Sequence, residues 1–235
     1  MRRLGMMKLE PLGDSAVIAT LGSGIDGATF ASVLGFAEAI VAAGRPGITD
    51  VVPAYATVAA FYDPAQFAEP SGDAYGEVCR FLESCAARAK SAPAASAPRV
   101  LEIPVCYGGD LGPDLGRVAE HCGVSPEEAA SRHAAGAYLV HAIGFTPGFP
   151  YLGGLPNSLR TPRRDTPRAR VPAGSVAIGG SQTGVYPVDS PGGWQIIGRT
   201  PMALFRPLER PAALLRPGDR VRFRAISGPE FASWR

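Results

Sequence analysis

The chain has 235 residues, of which 46% are hydrophobic and 19% are charged, with a formal net charge of +2. This composition is typical of a globular protein with one large or two small domains, and it argues against a broad attraction to nucleic acid. The four cysteines lack paired metal-binding spacing, and no stretch reaches the ~20 apolar residues of a membrane span. We therefore expect a cytoplasmic protein with reduced thiols and no membrane partner.

The first 90 residues predict a small α/β domain. A strand is expected at residues 16–21, followed by a helix that begins after Asp26 and ends at Gly44. Two strands at 48–52 and 57–62, joined by a proline-containing turn, precede a second helix at 74–89. The order indicates helices on one face of a small antiparallel or mixed sheet. The first helix has an apolar stripe of Phe30, Val33, Leu34, Ala37, Ile40 and Val41.

Residues 91–98 (SAPAASAP) predict a linker, since small residues and prolines occur there without hydrophobic periodicity. The prediction is therefore a domain of residues 1–90 and a second domain of residues 99–235. The second domain opens with a strand, VLEIPV, and two short helices, of which the second is capped by Ser125 and Glu128. Between residues 141 and 200, 19 of 60 residues are glycine or proline, which disfavours long helices and predicts a β-barrel or sandwich.

Common catalytic motifs are missing from the sequence. It has no GxxxxGK[ST] phosphate loop, no zinc motif and only three histidines, so we expect no metal site. His133 lies near the end of a predicted helix. Two roles stay open for it: a cap on the last helical carbonyls, or a general base near neutral pH.

Two polar segments of the second domain are candidates for binding. The segment 162–175 (PRRDTPRARVPAGS) holds Arg163 and Arg168 beside prolines, as expected of a carboxylate-binding loop or of a solvated loop. The segment 179–201 (GGSQTGVYPVDSPGGWQIIGRTP) predicts a turn-rich hairpin that either gathers binding groups or buries a core tryptophan. Its candidate binding residues are Gln182, Tyr186, Ser190 and Trp194.

A third segment, GFTPGFPYLGGLP at 144–156, interleaves aromatic residues with glycine and proline. The segment either forms a wall that stacks on a flat ligand or a partner, or forms a tight β-arch in which Phe145 and Phe149 plug the barrel, and we favour the second role for these two residues. Tyr151 is expected to be more open because its hydroxyl needs a polar partner.

These three segments together resemble one protein family. GFTPGFPYLGGLP, VPAGSVAIGGSQTGVYP and SPGGWQIIGRTP, with GDSAVIATLG and IPVCYGGDLGPDL earlier in the chain, are similar to the family that includes the 5-oxoprolinase B subunit (PxpB), KipI and allophanate hydrolase subunit 1. The resemblance extends from Gly13 to about Ile226. It implies an α+β N-terminal domain followed by a mainly-β, cyclophilin-like barrel domain.

The resemblance also implies a function and partners. Such proteins act with two others: a C component of the KipA, or allophanate hydrolase subunit 2, type, and an A component of the LamB/YcsF type. The assembly converts 5-oxo-L-proline to L-glutamate with ATP hydrolysis. Because the phosphate loop is missing here, ATP is expected to bind largely elsewhere in the complex, and no biotin attachment is evident.

We therefore hypothesise a non-autonomous enzyme subunit whose 179–201 hairpin forms a rigid lip of the barrel. The lip presents its polar groups and Trp194 to a small carboxylated lactam or to a partner protein. Two alternatives stay open, namely a KipI-like inhibitor of a sporulation-type histidine kinase and a carboxyltransferase half of a urea carboxylase or allophanate hydrolase system.

Overall fold

The computed structural model describes residues 2–4, 7–67, 72–89 and 99–234, so the predicted linker at 91–98 lies outside the described residues. The chain divides into two compact units, Met1–Ala97 and Pro98–Arg235. Across the described ranges, no helix combines the length and the apolar character needed to cross a bilayer.

The first unit is a five-stranded antiparallel sheet with two helices. Its strands follow the spatial order β1-β2-β3-β5-β4, so the edge strands are β1 and β4. The helices α1 and α2 pack against each other, and α1 also packs against β4. The elements are β1 (Arg2–Leu4), β2 (Met7–Pro11), β3 (Ala16–Thr20), α1 (Gly27–Ala43), β4 (Ile48–Ala54), β5 (Thr57–Tyr62) and α2 (Ala74–Ala89).

Local sequence signals explain where α1 begins and ends. The Asp26 side chain accepts hydrogen bonds from the backbone N–H groups of Ala28 and Thr29, and Gly44 adopts the left-handed conformation at the other end. Two details of the prediction were wrong. Val41 is exposed while Phe36 is buried instead, and Pro53 lies inside β4 rather than in a turn. Proline is tolerated there because β4 is an edge strand.

The second unit is built around a closed seven-stranded barrel in the order β10-β11-β8-β7-β14-β6-β13. All neighbours are antiparallel except β14 and β6, which run parallel. A separate two-stranded sheet pairs β12 with β9. The elements are β6 (Val100–Tyr107), α3 (Leu115–Cys122), α4 (Pro126–Ala134), β7 (Tyr138–Ile143), β8 (Pro150–Gly153), β9 (Arg168–Val171), β10 (Ser175–Gly179), β11 (Gln182–Val185), β12 (Ser190–Gly192), β13 (Gln195–Arg199), β14 (Arg220–Ala225) and α5 (Gly228–Ala232).

The barrel strands alternate between two apolar clusters. Val176 and Ile178 of β10 and Ile197 of β13 belong to the main core, which also receives residues from α3 and α4. Their neighbours Ala177 and Ile196 belong to a second, smaller cluster. Since successive side chains of a strand point to opposite faces, the smaller cluster lies on the outer face of the barrel. The barrel therefore has apolar material on both sides of these strands.

Candidate functional site

The smaller cluster is rich in aromatic side chains. We call Phe149, Tyr151, Tyr186 and Trp194 the aromatic cluster. Its rings meet edge to face: the Phe149 ring centroid lies 5.0 Å from that of Tyr151, 5.1 Å from that of Tyr186 and 5.5 Å from that of Trp194. Edge-to-face contacts of this kind stabilise aromatic groups beyond their burial alone. The cluster is therefore a rigid aromatic layer on the outside of the barrel.

Glycines in the strands let this layer lie close to the backbone. A Cβ atom at Gly179 would overlap the Trp194 ring, and one at Gly184 would approach the Phe149 ring at 2.9 Å. Gly192 is similarly close to the Tyr186 hydroxyl. These glycines are thus required by close approach of an aromatic ring, which accounts for part of the glycine content of the segment 179–201.

An arginine lies over this aromatic layer. The Arg163 guanidinium carbon is 5.6 Å from the centre of the Trp194 ring, within the range of a cation–π contact. Burial raises the pKa of Tyr186, an effect offset in part by a hydrogen bond from the Trp194 backbone N–H and by the charges of Arg163 and Arg168. The positive charges of the 162–168 segment therefore lower the pKa of Tyr186 in the aromatic cluster, against the effect of burial.

A buried aspartate fixes this arginine segment to the barrel. Asp114, which precedes α3, is only 4% exposed. Its Oδ2 accepts a 2.7 Å hydrogen bond from the Ile196 backbone N–H, and its own N–H donates to the Ile196 carbonyl at 2.8 Å. This reciprocal pair ties Asp114 to β13, two residues from Trp194.

The other carboxylate oxygen of Asp114 serves two arginines. Oδ1 accepts from Arg168 Nη2 at 2.8 Å and from Arg164 Nη1 at 3.2 Å. The Arg164 backbone N–H also donates to the Gly193 carbonyl at 2.7 Å, which places this segment beside the SPGGW turn. Gln195 adds a further tie, because its Nε2 donates to the Pro162 carbonyl at 2.9 Å.

Several polar atoms of this region are buried without a hydrogen-bond partner among the described residues. They are Arg164 Nε, Arg168 Nη1, Ser190 Oγ and Gln195 Oε1. Buried polar groups are paired in the great majority of cases, so this concentration of unpaired donors and acceptors distinguishes the region from an ordinary core. It is the region of the second unit best suited to receive a polar ligand or partner.

Inside the barrel, by contrast, a buried polar side chain has hydrogen-bond partners for all of its polar atoms. His133 is fully buried, with Nδ1 2.8 Å from the Tyr107 hydroxyl and Nε2 2.9 Å from the Thr183 hydroxyl. Thr183 donates its proton to the Ala177 carbonyl at 2.9 Å. It must therefore accept a hydrogen bond from Nε2–H, which leaves Nδ1 to accept from Tyr107. Desolvation lowers the pKa of His133 to about 3, so the imidazole is neutral.

The structure brings most of the predicted site residues together, but more deeply than expected. Arg163, Arg168 and Trp194 share one region, and Tyr186 adjoins it through the aromatic cluster. However, Tyr186 and Trp194 are 2% and 6% exposed and Ser190 is also buried, so the expected open lip is wrong. Their rings lie close against the backbone on the outer face of the barrel, where Gly179 and Gly192 leave room for them.

The remaining predicted residues do not share one location. Gln182 is partly exposed at the start of β11, opposite Gly179. His133 does lie at the end of α4, as expected, but its ring points into the core. Phe149 is buried, but in the aromatic cluster on the outer face of the barrel, and Phe145 is 63% exposed with a left-handed backbone. The expectation that both rings plug the barrel was therefore wrong. A binding or catalytic role for these residues remains a prediction.

Sequence reasoning missed Asp114, and within the segment 162–175 it favoured Arg163 over Arg164. Asp114 is a single acidic residue before a short helix, and its partners lie 50, 54 and 82 positions away. No local pattern distinguishes it from a helix cap, although its side chain makes no capping hydrogen bond. Only the three-dimensional pairing identifies it.

Two surface grooves are lined by other residues. One, of about 410 Å³, is formed by α1 and β4, and another, of about 200 Å³, is lined by Arg99, Arg206 and Arg210. The guanidiniums of the second groove are engaged by Asp219, Glu209 and backbone carbonyls. Among the residues described here, no three His, Cys, Asp or Glu side chains are grouped as a metal site would require.

Comparison with known proteins agrees with this architecture. Residues 7–215 match the family model "Carboxyltransferase domain, subdomain C and D". The chain is 42% identical to the B subunit of 5-oxoprolinase from Bacillus subtilis (strain 168) over 97% of its own length and 96% of that protein.

Solved structures show the same fold. TTHA0988 is 41% identical with a TM-score of 0.77 over 91% of this chain, which spans 40% of that longer protein. The K. lactis urea amidolyase has the same fold at 16% identity, with a TM-score of 0.74 over 96% of this chain and 15% of that protein. The chain therefore belongs to the carboxyltransferase subdomain C and D family, and it is similar to the 5-oxoprolinase B subunits that its sequence motifs indicated.

Proposed function

We propose that this chain is the B subunit of an ATP-dependent 5-oxoprolinase, which converts 5-oxo-L-proline to L-glutamate. The observation that carries the proposal is the end-to-end match, at 42% identity, with a protein of that name. The barrel domain, which we assign to the cyclophilin-like type, would supply part of a binding site rather than a complete catalytic centre.

The partners follow from the same assignment. A C component of the KipA type and an A component of the LamB/YcsF type would complete the enzyme, and ATP would bind mainly on them. The arginine segment would supply the guanidinium donors that the carboxylate of such a lactam needs.

The proposal is tested by reconstitution. The chain is purified with candidate KipA-type and LamB/YcsF-type proteins, and glutamate formation from 5-oxoproline is measured with and without ATP. We expect turnover only when all three proteins and ATP are present. Undiminished glutamate formation in the absence of this chain would show that it is not a required component.

A carboxyltransferase half is a second candidate, favoured by the family model that matches most of the chain. In that case the protein would act with a biotin carrier protein. Incubation with carboxybiotin and a urea or amide acceptor distinguishes the two functions. A carboxyltransferase would consume the carboxybiotin and would show no ATP-dependent ring opening of 5-oxoproline.

A further inference from the structure

The charges around Asp114 are unbalanced. Two guanidinium groups, those of Arg164 and Arg168, share a single carboxylate oxygen, and the other oxygen is taken by a backbone N–H. The arginine side chains are 27% and 24% exposed and Asp114 is nearly buried. A partly desolvated cluster with one excess positive charge is costly unless a further anion joins it.

The donors needed to bind that anion are present. Arg164 contacts Asp114 through Nη1, so the edge formed by Nε and Nη2 is not used by this contact. Within the described part of the chain, Arg164 Nε and Arg168 Nη1 are both buried and have no acceptor. The side edge of a guanidinium is the one that matches the two oxygens of a carboxylate.

We propose that Arg164 and Arg168 form a binding site for the carboxylate of a small planar substrate, with Asp114 as the residue that positions them. The identification of that substrate as 5-oxoproline rests on the proposed function. Asp114 holds the two guanidiniums side by side, and its reciprocal hydrogen bonds with Ile196 fix it to the strand that follows Trp194. The substrate carboxylate then supplies the second negative charge of the cluster.

The arrangement predicts selectivity for the carboxylate rather than for the ring. A ligand that keeps the ring and the carboxylate should bind, and a ligand that lacks the carboxylate should not, because a neutral lactam leaves the excess charge uncompensated. Arg170 provides a matched control. It belongs to the same segment, but it pairs on the surface with Asp189 and does not contact Asp114.

The test measures equilibrium binding to the full chain by isothermal titration calorimetry, without partner proteins. The probes are 5-oxoproline, cyclopentanecarboxylate and 2-pyrrolidone, the last being the lactam without its carboxylate. We expect the two carboxylates to bind in the millimolar range or tighter and 2-pyrrolidone to bind at least tenfold more weakly. Arg164→Lys and Arg168→Lys should each weaken carboxylate binding about tenfold, while Arg170→Lys should leave it unchanged.

Asp114→Asn separates positioning from direct contact. It preserves the shape of the side chain but removes its negative charge, so electrostatic attraction alone would strengthen carboxylate binding. We expect binding to fall instead, because the arginines lose their shared anchor, and stronger binding would show that Asp114 does not position them. Equal binding of 2-pyrrolidone, no effect of the Arg164 and Arg168 substitutions, or no carboxylate binding at millimolar concentrations would each overturn the proposal. Carboxylate binding by a chain that fails to support glutamate formation would overturn only the proposed function.

Discussion

The polar groups on the inner and outer faces of the barrel differ in how completely they are hydrogen-bonded. Inside, the hydrogen bonds of His133, Tyr107 and Thr183 end on the Ala177 carbonyl, and each donor in that series has an acceptor. Outside, two arginines compete for one oxygen of Asp114, and each keeps a buried nitrogen without a partner among the described residues.

This difference separates polar groups that stabilise a fold from polar groups that are available for binding. A completed network fixes the core, and both ring nitrogens of its histidine already have hydrogen-bond partners within the barrel. An incomplete network costs stability and is expected where binding supplies the remaining partners. Changes inside the barrel should therefore affect stability first, and changes outside should affect binding first.

The largest effect is expected where the Asp114 region contacts the barrel backbone. A Cβ atom at Gly112 would overlap the Ile197 carbonyl group, which cannot move without distorting β13. We expect Gly112→Ala to lower the free energy of unfolding by about 3 kcal/mol in urea denaturation. Gly116→Ala is the control, because its Cβ meets open space within α3 and should stabilise by about 0.5 kcal/mol. Equal effects of the two would contradict this account.

Breaking the inner network should have the next largest effect. Thr183→Val keeps the shape of the side chain but leaves Nε2–H of His133 without an acceptor, at a cost of about 2 kcal/mol. Thr183→Ser keeps the hydroxyl and loses only a methyl group, worth about 1 kcal/mol. Chemical denaturation of both variants checks the order. A serine variant less stable than the valine variant would mean that packing outweighs the hydrogen bonds.

Acid should destabilise the protein through the same histidine. The pKa of His133 is about 3 in the folded protein and 6.5 in an unfolded chain, so only the unfolded state gains a proton between these values. This contribution to stability is complete above pH 6.5 and is lost as the pH falls toward 3. We expect about 2 kcal/mol more loss between pH 7 and pH 5 than in His133→Gln, which cannot take up the proton. Parallel pH profiles of the two proteins would show that His133 is not the group responsible.

The smallest effect is expected at the surface pair of Arg170 and Asp189. Both side chains are exposed, so the ion pair is strongly screened by solvent. Arg170→Ala should change the free energy of unfolding by less than about 0.5 kcal/mol, with little dependence on salt. A larger loss would mean that Arg170 also supports the loop next to the aromatic cluster, and the proposed control would then need to be replaced.

Local signals predicted the helices well. Asp26, Gly44 and Ser125 act at the helix ends where the sequence places them, because capping involves residues only two or three positions apart. The closed barrel also agrees with the turn-rich composition of the second half. The prediction did not include the strands β1 and β2. Residues 7–10 do alternate between apolar and polar, with Met7 and Leu9 buried, but this stretch of four residues is short for a strand signal.

The candidate site was predicted only in part. Arg168 and Trp194 were identified by residue type, since arginine and tryptophan are common in binding sites. Their surroundings depend on residues of other strands and loops, such as Gly179 beneath the Trp194 ring and Asp114 beside Arg168. The burial of Trp194 follows from that long-range pairing, so it cannot be predicted from the residues adjacent to Trp194 in the sequence.

The parallel pairing of β14 with β6 has a consequence for synthesis of the protein. β14 lies between β6 and β7 in the barrel, although it follows both by roughly 80 residues or more. Until the ribosome has released residues 220–225, β6 and β7 each present an unpaired edge, and those edges are open to pairing with other nascent chains. Completion of the barrel is thus a late event in translation, and premature termination before β14 should yield aggregating fragments rather than a smaller folded domain.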